Sequence, residues 1–167
     1  KEKYNGKEYY GSYTLYLEDG LVKRSDFNSR TYTYTYNNSN RLIEWEREKA
    51  KTSIIWDGDK LVSATDEEYG HTSDMTLTYE KSCKKGHFPP MCDLIYYVGH
   101  GSPIFYAHPD LAGLRTTQLP ASVTTIRDNN STDTVNYSYE LDKQGYISKI
   151  TITEEDYEPY TYTLTWE

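Results

Sequence analysis

The stretch TYTYTYNNSNRLIEWE, residues 31–46, decides the fold. Tyrosine alternates with threonine three times, an asparagine-rich turn follows, and then an apolar run returns with Leu42, Ile43 and Trp45. Alternation with a period of two is typical of a half-buried β-strand, and asparagines supply the backbone conformation of a tight turn. The stretch therefore predicts a β-hairpin in which Tyr32, Tyr34 and Tyr36 share one face of a sheet.

The same pattern recurs along most of the chain. Turn sequences at Asp19-Gly20, residues 37–40 and Asp57-Gly58 are spaced about 19 residues apart, which indicates an internal repeat with one hairpin turn per unit. Further hairpin turns are expected at residues 142–145 and 154–158. Because no crossover helices separate the strands, the sequence predicts an all-β, antiparallel hairpin meander that forms a strongly curved sheet or incomplete barrel.

The 167 residues are expected to form one domain with three parts. Residues 1–82 carry the tyrosine-rich hairpin repeats, residues 83–120 form a long connection with a cysteine loop, and residues 121–167 carry the C-terminal hairpins. The connection is rich in Pro, Gly and His, and we expect it to cover the inner face of the sheet.

Tyrosine rings are the main source of buried apolar surface expected for this chain. Leu, Ile, Val and Phe make up only roughly a sixth of the residues, whereas there are 19 Tyr and 3 Trp. The favoured interpretation of the tyrosine rows is a thin core of rings packed across strands. The alternative is a concave aromatic platform that stacks sugars or small apolar ligands.

Charge excludes some functions. The net charge of -8 argues against nucleic acid as a partner, because phosphate binding needs clustered Lys and Arg. The basic spot at residues 47–51 and the acidic clusters at residues 66–68 and 154–156 are interpreted as solvated turns. No apolar run approaches the ~20 residues of a spanning helix, so no transmembrane segment is expected.

Two cysteines enclose a short loop with two prolines. An even pair that closes such a loop favours a disulfide between Cys83 and Cys92 in an oxidising compartment. Free thiols, or a metal site with His87, are the alternatives. No cofactor is expected.

The candidate binding site lies in the long connection, which combines His, aromatic residues and Gly within a short span. We expect any ligand to contact residues of this segment: Tyr96, His100, Phe105, Tyr106 and His108. The favoured alternative is that the segment plugs the curved sheet. A hydrolase or metal-dependent enzyme using residues 93–108, with Ser102 near His100, is a further alternative.

The C-terminal half resembles a known family. HPDLAGLRTTQLPASVT, YSYELDKQGYISKITIT and YTYTLTWE are similar to the DUF4595 family of secreted Bacteroidales lipoproteins. The resemblance implies a porin-like meander on a secreted envelope protein, in the periplasm or at the cell surface, anchored by a lipidated cysteine outside this chain. That family has no established activity, so it supplies no catalytic residue.

These observations predict a non-enzymatic binding or interaction module of the cell envelope. A glycan, a small apolar molecule or another envelope protein would be its partner. A purely structural envelope lipoprotein is the remaining alternative.

Overall fold

A computed structural model describes residues 2–4, 7–9, 13–27, 29–82, 113–114 and 118–165. These residues form thirteen strands, which are β1 (Glu2–Tyr4), β2 (Lys7–Tyr9), β3 (Tyr13–Glu18), β4 (Leu21–Phe27), β5 (Arg30–Tyr36), β6 (Leu42–Arg47), β7 (Ala50–Asp57), β8 (Lys60–Glu68), β9 (His71–Ser82), β10 (Gln118–Arg127), β11 (Thr132–Leu141), β12 (Ile147–Glu154) and β13 (Tyr160–Thr163).

Strands β3 to β13 form one sheet of 11 strands in which every strand pairs with its neighbours in the sequence. All of these pairings are antiparallel, and β1 and β2 form a separate hairpin. Among the described strands, β3 and β13 are the edges and do not pair, so the sheet does not close into a barrel. The predicted all-β antiparallel meander is confirmed.

Strand β5 shows why these sequences form strands with one buried face. Tyr32 is only 1% exposed and Tyr34 is also buried, whereas the threonines on either side of them are exposed. Tyr36 is half-buried and packs against the same core. The prediction that the three tyrosines share a face is confirmed. At the C-terminus, Tyr162 and Leu164 also pack against the core, and Trp166 lies outside the described residues.

The turns lie at two opposite ends of the sheet. The connection end carries the turns at Asp19-Gly20, residues 37–41, residues 58–59 and residues 142–146, together with the end of β9 and the start of β10. The expected turns at residues 142–145 and 154–158 are present, with left-handed backbones at Gly145 and Asp156.

The expectation of one turn in each 19-residue unit was wrong. Each unit contains a second turn at the other end of the sheet, which we call the short-turn end; these turns are at Ser29, Glu48-Lys49 and Tyr69-Gly70. The same end also carries the turns at residues 128–131 and 155–159. The long connection also ends earlier than expected, because β10 already begins at Gln118.

Four hairpins at the connection end share a β-bulge. In each, the second strand leaves one residue unpaired close to the turn; these residues are Lys23, Ile43, Val62 and Ser148. Bulges increase the local twist and bend of a strand. A bulge repeated in this way therefore bends the sheet in the same sense at each hairpin.

The core occupies one face of the sheet. Its members come from β4 to β12 and form one continuous cluster, which also includes Leu114 of the long connection. The carbonyl of Gly113 accepts a 3.4 Å hydrogen bond from the amide of Leu42. These two residues of the connection thus pack on the inner face, as expected for a cover; residues 83–112 of it lie outside the described residues.

Toward the short-turn end the buried face becomes polar. Ser25 and Tyr34 share a 2.7 Å hydrogen bond, and Thr52 donates a 2.5 Å bond to Asp66. Asp66 is 5% exposed and lies within β8. The interpretation of residues 66–68 as a solvated turn was therefore wrong, since pairing in the sheet turns Asp66 inward. The cluster at residues 154–156 does lead into an exposed turn.

Candidate functional site

The binding site predicted from the sequence lies outside the described residues. Tyr96, His100, Phe105, Tyr106 and His108 all lie outside the described residues, and so do Cys83 and Cys92. These predictions therefore stay predictions.

A small cavity lies near the described boundaries of the long connection. It has a volume of about 60 Å³ and is lined by residues of β9, β10 and β11, which include Lys81, Leu119 and Tyr139. The ammonium group of Lys81 donates a 3.0 Å hydrogen bond to the carbonyl of Tyr139. A space of this size holds a few water molecules and is too small for a sugar or a drug-sized ligand.

A larger cavity lies at the short-turn end, where three turns come side by side. We call it the turn pocket, and its volume is about 360 Å³. It is lined by Ser29, Arg30, Thr31, Arg47, Glu48, Lys49 and Tyr69. Its residues come from the β4–β5, β6–β7 and β8–β9 hairpins.

Strand register brings these distant residues together. Arg47 faces Ala50 across the β6–β7 hairpin, and Ala50 faces Glu68 on β8. The amide of Tyr69 donates a 3.0 Å hydrogen bond to the carbonyl of Lys49, which joins the β8–β9 turn to the β6–β7 turn. The turns are therefore held as a group by main-chain pairing.

In each of the three turns, one residue other than glycine has a left-handed backbone. The φ values are 65° at Ser29, 61° at Lys49 and 51° at Tyr69. Glycine, asparagine and aspartate are the usual residues at such positions, because a side chain makes this conformation costly. Tyr69 precedes Gly70, with φ of 87°, so the two residues form a type I′ turn in which asparagine would be usual at the first position.

Arg47 forms the inner wall of the pocket. Its side chain is only 8% exposed, and it forms an ion pair with Glu68. Burial acts to lower the pKa of Arg47, but a hydrogen bond with Tyr69 and the Glu68 carboxylate outweigh burial and raise the pKa above its ordinary value. The basic spot at residues 47–51 was expected to be a solvated turn; it spans the β6–β7 turn at Glu48-Lys49, but Arg47 ends β6 and is buried.

The hydrogen bonding of Arg47 is incomplete. Its Nε atom is buried and has no hydrogen-bond partner within the described structure. A buried donor without an acceptor typically costs about 1–3 kcal/mol. Arg47, which lines the pocket, thus keeps a buried cationic donor that the described contacts do not use.

The lining of the pocket is positively charged in a chain of net charge -8. Arg30, Arg47 and Lys49 contribute three cations, and Glu48 contributes one carboxylate. Neither Arg30 nor Lys49 forms an ion pair with another residue of the described part. The arrangement is suited to ligands with hydrogen-bond acceptors or negative charge.

A second, shallower cavity adjoins the pocket. Its volume is about 520 Å³, and it shares Arg47 and Lys49 with the turn pocket. The other lining residues include Lys51, Glu67 and His71. The imidazole of His71 lies 2.8 Å from the carboxylate of Asp128. Within the described ranges, no group of three or more His, Cys, Asp or Glu side chains is placed to hold a metal ion.

Sequence reasoning missed the turn pocket. The available signal was the alternation of Arg47, Lys49 and Lys51 within an acidic chain. That signal was interpreted as a solvated turn because the sequence does not show that the turns of Ser29 and Tyr69 lie beside it.

Comparison with known proteins supports the fold. No family model matches the chain, and no curated protein matches it significantly. A porin-like protein from Bacteroides uniformis has a similar structure, with a TM-score of 0.64 and 18% sequence identity over 90% of this chain and 68% of that one. A porin-like protein from Bacteroides vulgatus is also similar, with a TM-score of 0.60 and 14% sequence identity over 89% of this chain and 75% of that one. At these identities the likeness shows a porin-like fold.

The described residues include no helix of the length and apolar character needed to cross a bilayer.

Proposed function

We propose that this chain is a non-enzymatic binding module of the bacterial cell envelope and that its ligands are glycans. The porin-like Bacteroides structures support the envelope setting, and so does the resemblance of residues 105–167 to DUF4595. Secretion and a lipid anchor belong to the same proposal and rest on that resemblance. Periplasm and cell surface are both compatible with it.

The turn pocket is the observation that carries the proposal. Tyr69 is 63% exposed, and it lines a cavity whose other side chains carry hydroxyl, guanidinium and ammonium groups and the one carboxylate of Glu48. A sugar presents an apolar C–H face and a set of hydroxyls, so an accessible ring beside several hydrogen-bond donors matches its chemistry. A cavity of about 360 Å³ lies in the range of small-ligand sites.

The lining favours binding over hydrolysis. Glycoside hydrolysis uses two carboxyl groups that flank the scissile bond, and the pocket lining includes one, Glu48. Nucleophilic catalysis needs a base within hydrogen-bond reach of the hydroxyl, and the lining that presents Ser29 and Thr31 includes no histidine. Both features support a module that holds its ligand without converting it.

A glycan array tests the proposal with the purified chain. We expect a defined glycan to bind to the wild type and binding to fall about tenfold in Tyr69→Ala, since a well-placed aromatic ring typically contributes on the order of 1–2 kcal/mol. Tyr157→Ala is the matched control, because Tyr157 is an equally exposed turn tyrosine at 68% that does not line the pocket.

A further variant distinguishes the turn pocket from the long connection. Tyr106→Ala alters the site predicted from the sequence and leaves the turn pocket intact. Loss of glycan binding in Tyr106→Ala, with full binding in Tyr69→Ala, would show that the glycan site lies in the long connection and not in the turn pocket. Failure of the wild type to bind any glycan would contradict the proposed function and favour a structural role.

A further inference from the structure

We infer that the turn pocket is an anion site, which binds the carboxylate or sulfate group of an acidic ligand. This inference rests on the proposed function in one respect, namely that the acidic ligand is taken to be a sugar. The shared chemistry is an oxyanion with several acceptor oxygens, and sugars carry it as uronate or as sulfate ester.

The first argument is the charge of the lining. Three cations from two neighbouring hairpins line one cavity, and the ion pairs of the described residues neutralise only Arg47. Several basic side chains elsewhere on the sheet are paired with acids; examples are Arg24 with Asp26, Lys51 with Glu44 and Lys149 with Glu140. Arg30 and Lys49 form no such ion pair within the described residues.

The second argument is the state of Arg47. A guanidinium has five N–H donors in a planar fork that suits an oxyanion. Nη2 of Arg47 donates a hydrogen bond to the Glu68 carboxylate, and the Arg47 side chain also forms a hydrogen bond with Tyr69. Nε is buried and has no acceptor within the described structure. An oxyanion in the cavity that Arg47 lines would interact with a guanidinium whose hydrogen bonding the described contacts leave incomplete. Because Arg47 is already held in place, little side-chain freedom would be lost on binding.

The third argument is the residue choice at the strained turns. Lys49 and Tyr69 occupy left-handed positions at which glycine or asparagine would be more stable. Nothing in the turns themselves requires these side chains, but both line the pocket. Strain of this kind at a cavity is a reason to look for function there.

The Lys49→Gly variant provides a sharp test, because it removes a cation and relieves backbone strain at the same time. We therefore expect it to fold at least as stably as the wild type, so that lost binding cannot be attributed to unfolding. Asp19→Gly is the matched control, since Asp19 also has a left-handed backbone, with φ of 52°, but lies in a turn at the connection end.

The binding measurement compares three probes by isothermal titration calorimetry. They are a glucuronate oligosaccharide, the corresponding uncharged glucose oligosaccharide and inorganic sulfate. We expect the glucuronate oligosaccharide to bind about tenfold more tightly than the uncharged one, since a charged hydrogen bond is worth roughly that ratio or more. Lys49→Gly and Arg30→Gln should each remove most of this preference, and Asp19→Gly should keep it. Added salt should weaken binding of the charged probe only.

The outcomes separate the two proposals. Equal affinity for the charged and uncharged oligosaccharides, or an unchanged preference in Lys49→Gly, would overturn the anion site and leave glycan binding standing. Lys49-dependent binding of sulfate without binding of either oligosaccharide would support the anion site and contradict the proposed glycan function. Absence of binding by all three probes would overturn the anion site.

Discussion

The hydroxyl of Tyr36 donates a 2.7 Å hydrogen bond to the main-chain oxygen of Val22. The same relationship recurs three times along the sheet, from Trp56 to Leu42, from Tyr79 to Leu61 and from Tyr139 to Pro120, at 2.7, 2.6 and 2.9 Å. In every case the acceptor precedes the unpaired residue of a β-bulge. A bulge interrupts the ladder of main-chain bonds, and in these four places an aromatic side chain donates a hydrogen bond to the carbonyl beside the interruption.

We predict that Tyr36→Phe lowers the free energy of unfolding by about 1–2 kcal/mol, because it leaves the Val22 carbonyl without this donor while it retains the ring. Urea unfolding measures the change. Tyr157→Phe, at an exposed turn tyrosine, should change stability by less than about 0.5 kcal/mol. Equal effects in the two variants would show that the bond to Val22 contributes nothing.

The same hydroxyl predicts a loss of stability at alkaline pH. Burial raises the pKa of Tyr36 above its ordinary value of about 10, and the neighbouring Tyr34 adds to the effect. A raised pKa in the folded state means that the folded chain holds a proton that the unfolded chain releases above about pH 10. The contribution is complete below that pH and is lost as the pH rises toward the folded-state pKa.

Between about pH 9 and pH 11, wild-type stability should therefore fall more steeply than that of Tyr36→Phe, by up to about 1 kcal/mol per pH unit. Urea unfolding at several pH values measures both slopes. Parallel curves would contradict the assignment to Tyr36.

Gly113 is predicted to fix the end of the long connection to the sheet. A Cβ atom there would overlap the carbonyl oxygen of Asn40 and lie 3.1 Å from the Tyr36 ring, and the backbone is left-handed with φ of 65°. Gly113→Ala should therefore destabilise the chain by about 2 kcal/mol or more, from steric overlap and strain together.

Gly20→Ala is the control for the strain alone. Gly20 has a similar left-handed backbone, with φ of 79°, and nothing within 4 Å of the added carbon. Gly20→Ala should therefore lower the free energy of unfolding by only about 1 kcal/mol. If both variants lose the same stability, the contact between Gly113 and the β5–β6 turn is not close in solution.

Thr52→Val should destabilise the chain by about 1–3 kcal/mol, because the hydroxyl of Thr52 donates to the buried carboxylate of Asp66 and valine does not. Thr76→Val, on the exposed face of β9, should be close to neutral. Chemical unfolding of both variants measures the difference. A neutral Thr52→Val would mean that the other contacts of Asp66 suffice.

The disulfide between Cys83 and Cys92 stays a prediction from the sequence. The purified chain, alkylated without a reductant, should keep its intact mass, and it should gain two alkyl groups only after reduction. Alkylation of both cysteines without reductant would contradict it.

The difference between the two kinds of turn shows where sequence reasoning succeeded. The turns at the connection end include Asp19-Gly20 and Gly58, residue types that favour a left-handed backbone and so predict a turn. Three turns at the short-turn end use Ser29, Lys49 and Tyr69 for the same conformation. Those residues seldom adopt it, so no local rule identified these turns, and neighbouring hairpins hold them in place.

The sequence by itself determined the strands, the antiparallel meander and the burial of the tyrosine rows, because alternation and turn residues act over a few positions. Only the tertiary structure decided the inward position of Asp66, the buried guanidinium of Arg47 and the turn pocket. Each of these depends on the pairing of residues that are 14 or more positions apart in the chain, such as Thr52 with Asp66. Alternation along a strand shows which residues share a face of the sheet. The residues that lie opposite them on the neighbouring strands are set by the register in which whole strands pair.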